Sequence, residues 1–129
     1  MIKKSSFSLL EMMVVIAIIG FIAGMLVVEL GGAADEAAVG TTKGKIKMIE
    51  QELIKYKLRK RKFPDPNDGL EALVKEGFIS DYKDSWQNDL QYNYPGTEGR
   101  KFDLWSLGAD SMDGGEGFDA DIYNGAKPE

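Results

Sequence analysis

Residues 7–30 read FSLLEMMVVIAIIGFIAGMLVVEL, twenty-four positions with only two charges, Glu11 and Glu29. About 20 apolar residues wound as a helix are enough to cross a hydrocarbon core, so this stretch predicts a membrane-spanning helix. An ordinary secretory signal carries a shorter apolar run, about 7–15 residues, before a small-residue cleavage site. Lys3 and Lys4 stand immediately before the run. The cytoplasmic bias of such cations predicts a single pass that puts residues 31–129 on the far side of the membrane.

The rest of the composition narrows the chemistry. A chain of 129 residues holds one domain plus at most an appended segment. It has no cysteine and no histidine, which removes disulfides, thiol and imidazole catalysis and the usual zinc ligands. A net charge of −5 argues against a nucleic-acid surface, which needs a basic footprint. No glycine-rich phosphate loop of the Walker type is present, so any nucleotide-driven motor belongs to a partner.

Glu11 lies close to the cytoplasmic edge of the apolar run, and an acid at membrane depth needs a partner or a route to the interface. One reading is that its carboxylate snorkels to the interface. The other follows from a cut between Ser6 and Phe7, which would create an α-amino cation on Phe7 at a similar depth. In a bundle of such helices Glu11 of one copy would pair with the amine of a neighbour.

Here SSFSLLEMMVVIAIIG (residues 5–20) resembles the class III signal of type IV pilins and type II secretion pseudopilins. The resemblance implies that a prepilin peptidase removes residues 1–6, cutting between Ser6 and Phe7, and methylates the Phe7 amine. It also implies that Glu11 is the family's assembly glutamate. The family usually has Gly where Ser6 stands, and Pro where Val28 stands. With no proline, the pair Gly31-Gly32 predicts a bend or melted turn at residues 29–32.

Beyond that pair, Ile46, Ile49, Leu53 and Tyr56 recur at spacings of three and four, the stripe of an amphipathic helix over residues 33–61. The basic run from Lys55 to Lys62 is read as a solvated helix end whose cations complement the dipole. Pro64 and Pro66 stop the helix. A short capped helix follows over residues 68–75, closed by Gly77. Two strand-like stretches, 90–94 and 100–107, flank Pro95-Gly96 and predict a β-hairpin over residues 90–107. Trp86, Tyr92, Tyr94, Phe102, Leu104 and Trp105 are expected to cover the core against the helix stripe. The fold class is α+β: a long N-terminal helix packed on a small antiparallel sheet, pilin-like.

Within the same family the head resembles the major pseudopilin branch. The matching phrases are Lys62-Phe63-Pro64, Asp68-Gly69-Leu70-Glu71-Ala72-Leu73, Asp84-Ser85-Trp86-Gln87-Asn88-Asp89 and Phe102-Asp103-Leu104-Trp105-Ser106-Leu107-Gly108-Ala109-Asp110. The family's usual Asp-Pro-Trp-Gly is Asp84-Ser85-Trp86-Gln87 here, so that turn is expected to differ in shape.

Residues 103–121 hold six carboxylates and no cation. Like charges crowd a flexible loop only if it is solvated or wraps a cation. Calcium suits the second case, taking 6–8 oxygens in loose geometry. The loop does not meet the EF-hand pattern, so the bare residues leave both readings open. The resemblance implies a structural calcium in the loop 107–124, held by Asp110 and Asp121, by Asp119 or its rival Asp113, and by the backbone carbonyls of Leu107 and Met112.

The function implied is a non-enzymatic subunit of a helical fibre in the periplasm, anchored in a bacterial inner membrane and driving type II protein secretion. Its implied partners are copies of itself, minor pseudopilins, the prepilin peptidase and the inner-membrane assembly platform with its ATPase. The alternatives are a type IV pilus subunit or minor pseudopilin, and a membrane-anchored hydrolase using an acid pair such as Asp103 and Asp110.

Overall fold

The computed structural model describes residues 3–129, and the backbone divides into two units, residues 1–34 and 35–129. Helix α1 (Leu9–Lys60) runs through the first and into the second. Its start is set by a reciprocal cap: the Glu11 N–H donates to Ser8 Oγ at 3.2 Å, and the Ser8 N–H donates to Glu11 Oε2 at 2.8 Å. This is a capping box, which satisfies two of the N–H groups that every helix start leaves bare.

No part of the most apolar stretch of α1 is buried, and its side chains from Leu9 to Val28 stand out into the surroundings. A rod oily on every side is stable only where lipid or other helices cover it. The interruption expected at residues 29–32 is not found, because α1 stays helical through Gly31 and Gly32. Glycine weakens a helix by about 1 kcal/mol but keeps its N–H, whereas proline removes a hydrogen bond and clashes with the preceding turn.

In the second unit the stripe faces inward: Ile46, Ile49 and Leu53 are buried and Tyr56 is half-buried against them. Helix α1 ends where Arg61 turns into the left-handed region (φ 69°), just before Phe63 and Pro64 become buried. The short helix α2 (Glu71–Lys75) begins later than the expected residue 68. The reason is local: the Asp65 carboxylate accepts the Asn67 N–H and the Asp65 carbonyl accepts the N–H groups of Asp68 and Gly69, so this segment closes as turns. No side chain caps α2.

The hairpin is narrower than residues 90–107. Strand β1 (Gln91–Asn93) pairs antiparallel with β2 (Asp103–Ser106), with Tyr92 opposite Leu104. A third strand, β3 (Ile122–Tyr123), adds to the other edge of β2, giving the order β1-β2-β3. Alternation along β2 sends Leu104 into the core with Phe102, and sends Trp105 to the opposite face, where it stacks on Tyr123 at 5.7 Å. Trp105 therefore does not join the helix-facing core expected of it. Phe63 meets Phe102 edge-on at 5.1 Å, and Leu70, Leu73, Ile79, Leu90 and Ile122 complete the core.

Candidate functional site

Two regions carry the residues singled out by sequence: the tip of α1 and the acidic loop. At the tip, Ser6 and Phe7 lie in exposed, non-helical chain ahead of the cap, and Phe7 is 78 % exposed. A processing enzyme meets no packed structure there. Residues 1 and 2 of the expected leader lie outside the described residues. Glu11 is exposed and turned back toward the chain before the helix, because its carboxylate is held by the Ser8 N–H. The carboxylate is thus held at the Ser8 amide, one residue after Phe7. Ser8, which the sequence reading passed over, is what holds it, and the Ser-x-x-Glu spacing was the signal available.

The acidic loop leaves β2 at Ser106 and returns at β3, with a 3-10 turn at Gly117–Asp119. Its crossing depends on glycine. A side chain at Gly108 (φ 74°) would lie 2.7 Å from the Asp119 carbonyl oxygen, and one at Gly115 (φ 88°) would lie 2.6 Å from the same atom. The Ala109 N–H also donates to the Phe118 carbonyl at 3.0 Å, pinning the two limbs together.

Among the expected ligands, Asp121 sits deepest. Its Oδ2 accepts the Gly114 N–H at 3.0 Å, while its Oδ1 is buried with no hydrogen-bond partner. An unmatched carboxylate oxygen inside a loop is costly unless a cation or water meets it. Asp110 is exposed and its Oδ1 accepts the Met112 N–H at 3.0 Å. Asp119 and Asp113 are exposed, as is Met112, and Leu107 is half-buried. Among the described residues no three carboxylates gather closely enough to hold a metal by themselves. A cation here would lean on backbone carbonyls and on one or two carboxylates, a donor set of hard oxygens alone. The free, inward oxygen of Asp121 fits such an ion.

Behind the loop lies a network that sequence reasoning missed. Asp84 is 3 % exposed. Its Oδ1 accepts the N–H groups of Trp86 (2.9 Å) and Asn88 (3.0 Å), and its Oδ2 accepts the Ser106 hydroxyl at 2.7 Å. Ser106 Oγ in turn accepts the Gly108 N–H at 3.1 Å. A buried charge with three donors is well satisfied, and this one fastens the turn at residues 84–88 to the root of the acidic loop. The Ser85 N–H reaches Thr42 Oγ1 of α1 at 3.2 Å, which extends the tie to the helix.

Asp103 is also buried and committed. Its Oδ2 accepts the Thr97 N–H and hydroxyl, and Arg100 Nε lies 3.2 Å from its Oδ1 as an ion pair. The Arg100 guanidinium also donates to the Ala126 carbonyl at 2.8 Å, so this carboxylate organises the segment between β1 and β2.

Comparison with known proteins decides the family. Residues 29–125 match the model for type II secretion system (T2SS), protein G, and residues 1–27 match the prokaryotic N-terminal methylation motif. The chain belongs to the type II secretion system protein G family. Among its relatives, the type II secretion system core protein G of Pseudomonas aeruginosa is 41 % identical, with 95 % of each chain covered. The core protein G of Vibrio cholerae is 39 % identical over 95 % of this chain and 92 % of its own. The crystal structure of the major pseudopilin from the type 2 secretion system of enterohaemorrhagic Escherichia coli superposes with a TM-score of 0.61 at 27 % identity, covering 74 % of this chain and 93 % of that one. As a protein G family member with the same helix-and-sheet fold, the chain is a structural pseudopilin of type II secretion.

Proposed function

We propose that the chain is processed between Ser6 and Phe7, and polymerises through α1 into a periplasmic pseudopilus from a bacterial inner membrane. The observation that carries this reading is the fully uncovered apolar half of α1 joined to a capped Glu11 at its start. Each Å² of apolar surface kept from water is worth about 25 cal/mol, so the rod needs lipid before assembly and sister helices once it stands outside the bilayer; side-by-side packing of the helices drives the exchange. Gly20 and Gly24, one turn apart, leave a groove beside Phe21, Met25 and Val28 where a neighbouring helix comes close. Once the Phe7 amine is free, Glu11 of one copy pairs with the amine of the next and sets their register. In the unpolymerised chain the Ser8 N–H satisfies that carboxylate.

The partners in this reading are copies of the chain, minor pseudopilins, a prepilin peptidase, and an assembly platform whose ATPase supplies the work. An enzymatic role has no support in the head, where Asp103 gives one oxygen to Thr97 and faces Arg100 as an ion pair with the other, and Asp84 is held by Ser106 and two backbone N–H groups. Glu11→Ala tests assembly: membrane insertion should persist while sheared-fibre yield falls at least tenfold. Normal yield would remove the role given to Glu11.

We further assign a structural calcium to the acidic loop, for which Asp121 and Asp110, with Asp119 or Asp113 as an alternative carboxylate, and the Leu107 and Met112 carbonyls are the proposed donors. The ion supplies positive charge to a loop that has none, and the chain's own part is to present Asp121 Oδ1 inward, on glycines that let the limbs cross. Asp121→Ala should abolish the rise in Tm that calcium gives the protein and leave Tm in chelator nearly unchanged. A wild-type chain whose Tm ignores calcium would end this assignment.

A further inference from the structure

In residues 35–129 the exposed large apolar side chains are Met48, Ile54, Leu58, Met112 and Phe118, and all but Met48 fall into two pairs, one set among mostly basic and one among acidic side chains. On α1, Ile54 and Leu58 stand one helical turn apart, with Leu58 76 % exposed. Around them run Lys55, Lys57, Arg59, Lys60, Arg61 and Lys62, of which Lys57 and Arg59 lie over the Phe63 and Phe78 rings, and the acid next to this face is Glu50, one turn before Ile54. Of these cations, only Lys55 (to Glu52) and Lys60 (to Glu76) form ion pairs among the described residues. In the loop, Met112 is 66 % and Phe118 39 % exposed, beside the exposed Asp113 and Glu116. No loop carboxylate from 107 to 123 takes part in an ion pair among the described residues.

We infer that these are the two halves of one contact: the basic-rimmed Ile54–Leu58 face of one copy receives the acid-rimmed Met112–Phe118 loop of another. An apolar centre with a charged rim is the usual anatomy of a protein interface. Here the two rims are opposite in sign and sit at different places on the same body. Such a contact is heterologous: each copy uses one patch as donor and the other as acceptor, so the contact propagates as an open chain and does not close as a dimer. Charge complementarity selects a second copy, because each patch finds on that copy what it lacks on its own chain. The contact uses Asp113 and Glu116 and does not call on Asp110, Asp119 or Asp121. The inference rests on the reading that the chain polymerises, and places a head-to-head-group contact beside the one made by α1's apolar half.

The chain contains no cysteine, so introduced thiols report without background. Full-length chains bearing Leu58→Cys or Met112→Cys, both at exposed positions, are co-expressed in cells carrying the assembly machinery and treated with a short bis-maleimide. Mixed chains should give a heterodimer, a chain with both substitutions should give a ladder of multimers, and each single chain alone should stay monomeric. Lys55→Glu with Lys62→Glu should lower the heterodimer yield about tenfold, as like charges replace opposite ones across the rim. Fibres that form normally without any heterodimer would overturn this contact while leaving assembly through Glu11 intact. Equal cross-linking of each single chain with itself would overturn the heterologous geometry, and a yield indifferent to charge reversal would overturn the rim. Loss of fibres and cross-links together in the unaltered background would remove the polymerisation reading as well.

Discussion

Gln87 carries a positive φ of 67° inside the turn that Asp84 organises. A side chain with a Cβ pays about 1–2 kcal/mol for that left-handed backbone, and glycine does not. This chain therefore carries a local strain that glycine at position 87 would relieve. Gln87→Gly is expected to raise stability by about 1 kcal/mol, somewhat less if the freer unfolded chain offsets the gain. Chemical denaturation of the two proteins measures it directly, and an unchanged or lowered midpoint would mean that the Gln87 side chain contributes something its exposed position does not suggest. The Asp84 cluster that shapes this turn was invisible in sequence because its partners are distant along the chain: Ser106 is 22 residues away, and Thr42 is 43 residues from Ser85. Glu11 was legible because a lone acid in an oily stretch stands out. Its partner Ser8, three residues before it, was signalled by the Ser-x-x-Glu spacing and was passed over because the apolar run around it commands the reading.

Among the elements, helix α1 was readable from its periodicity and the β1–β2 hairpin from its turn residues, whereas the third strand, which rests on pairing alone, was not. The oily run and the Ile46, Ile49, Leu53 stripe both mark α1, because burial on one face repeats with the helix. Strand β3 has two residues and exists only because Trp105 and Ser106 of β2 offer it an edge. Nothing within two residues can show a period. The late start of α2 has the same kind of cause, a carbonyl of Asp65 that captures the N–H groups around it. One tie between elements is sensitive to pH. Lys45 of α1 donates to Asp81 Oδ1 at 2.6 Å, and this bond, with a second from the Lys83 N–H, holds the Asp81 carboxyl below its ordinary range. A depressed carboxylate stabilises the fold above its unfolded pKa and loses that contribution as pH falls through the folded value. Asp81 is more than half exposed, so solvent screening limits the effect to at most about 1 kcal/mol. Asp81→Asn should therefore lower Tm slightly at neutral pH, and the gap from wild type should close in acid below the normal carboxylate range. A gap that stays constant with pH would show that the amide disturbs packing and that the ion pair is not the cause.

Taken as a molecule, the chain divides its work between two kinds of surface. Residues 3–34 present apolar side chains and a capped carboxylate at Glu11, with none of the apolar span buried among the described residues. Residues 35–129 hold a closed core, in which α1, α2 and the three strands bury Leu53, Leu73 and Leu104 completely. Such a body is stable as a head, while the first unit is completed only by lipid or by other copies. That division follows from the family and the fold, and in the proposed reading processing at Phe7 would turn an anchored head into a polymerising one. The most direct measurement is therefore mass spectrometry of the intact protein recovered from cell membranes. The account predicts a chain that begins at Phe7 with a methylated α-amino group. A chain that retains Ser6 and the residues before it would contradict it.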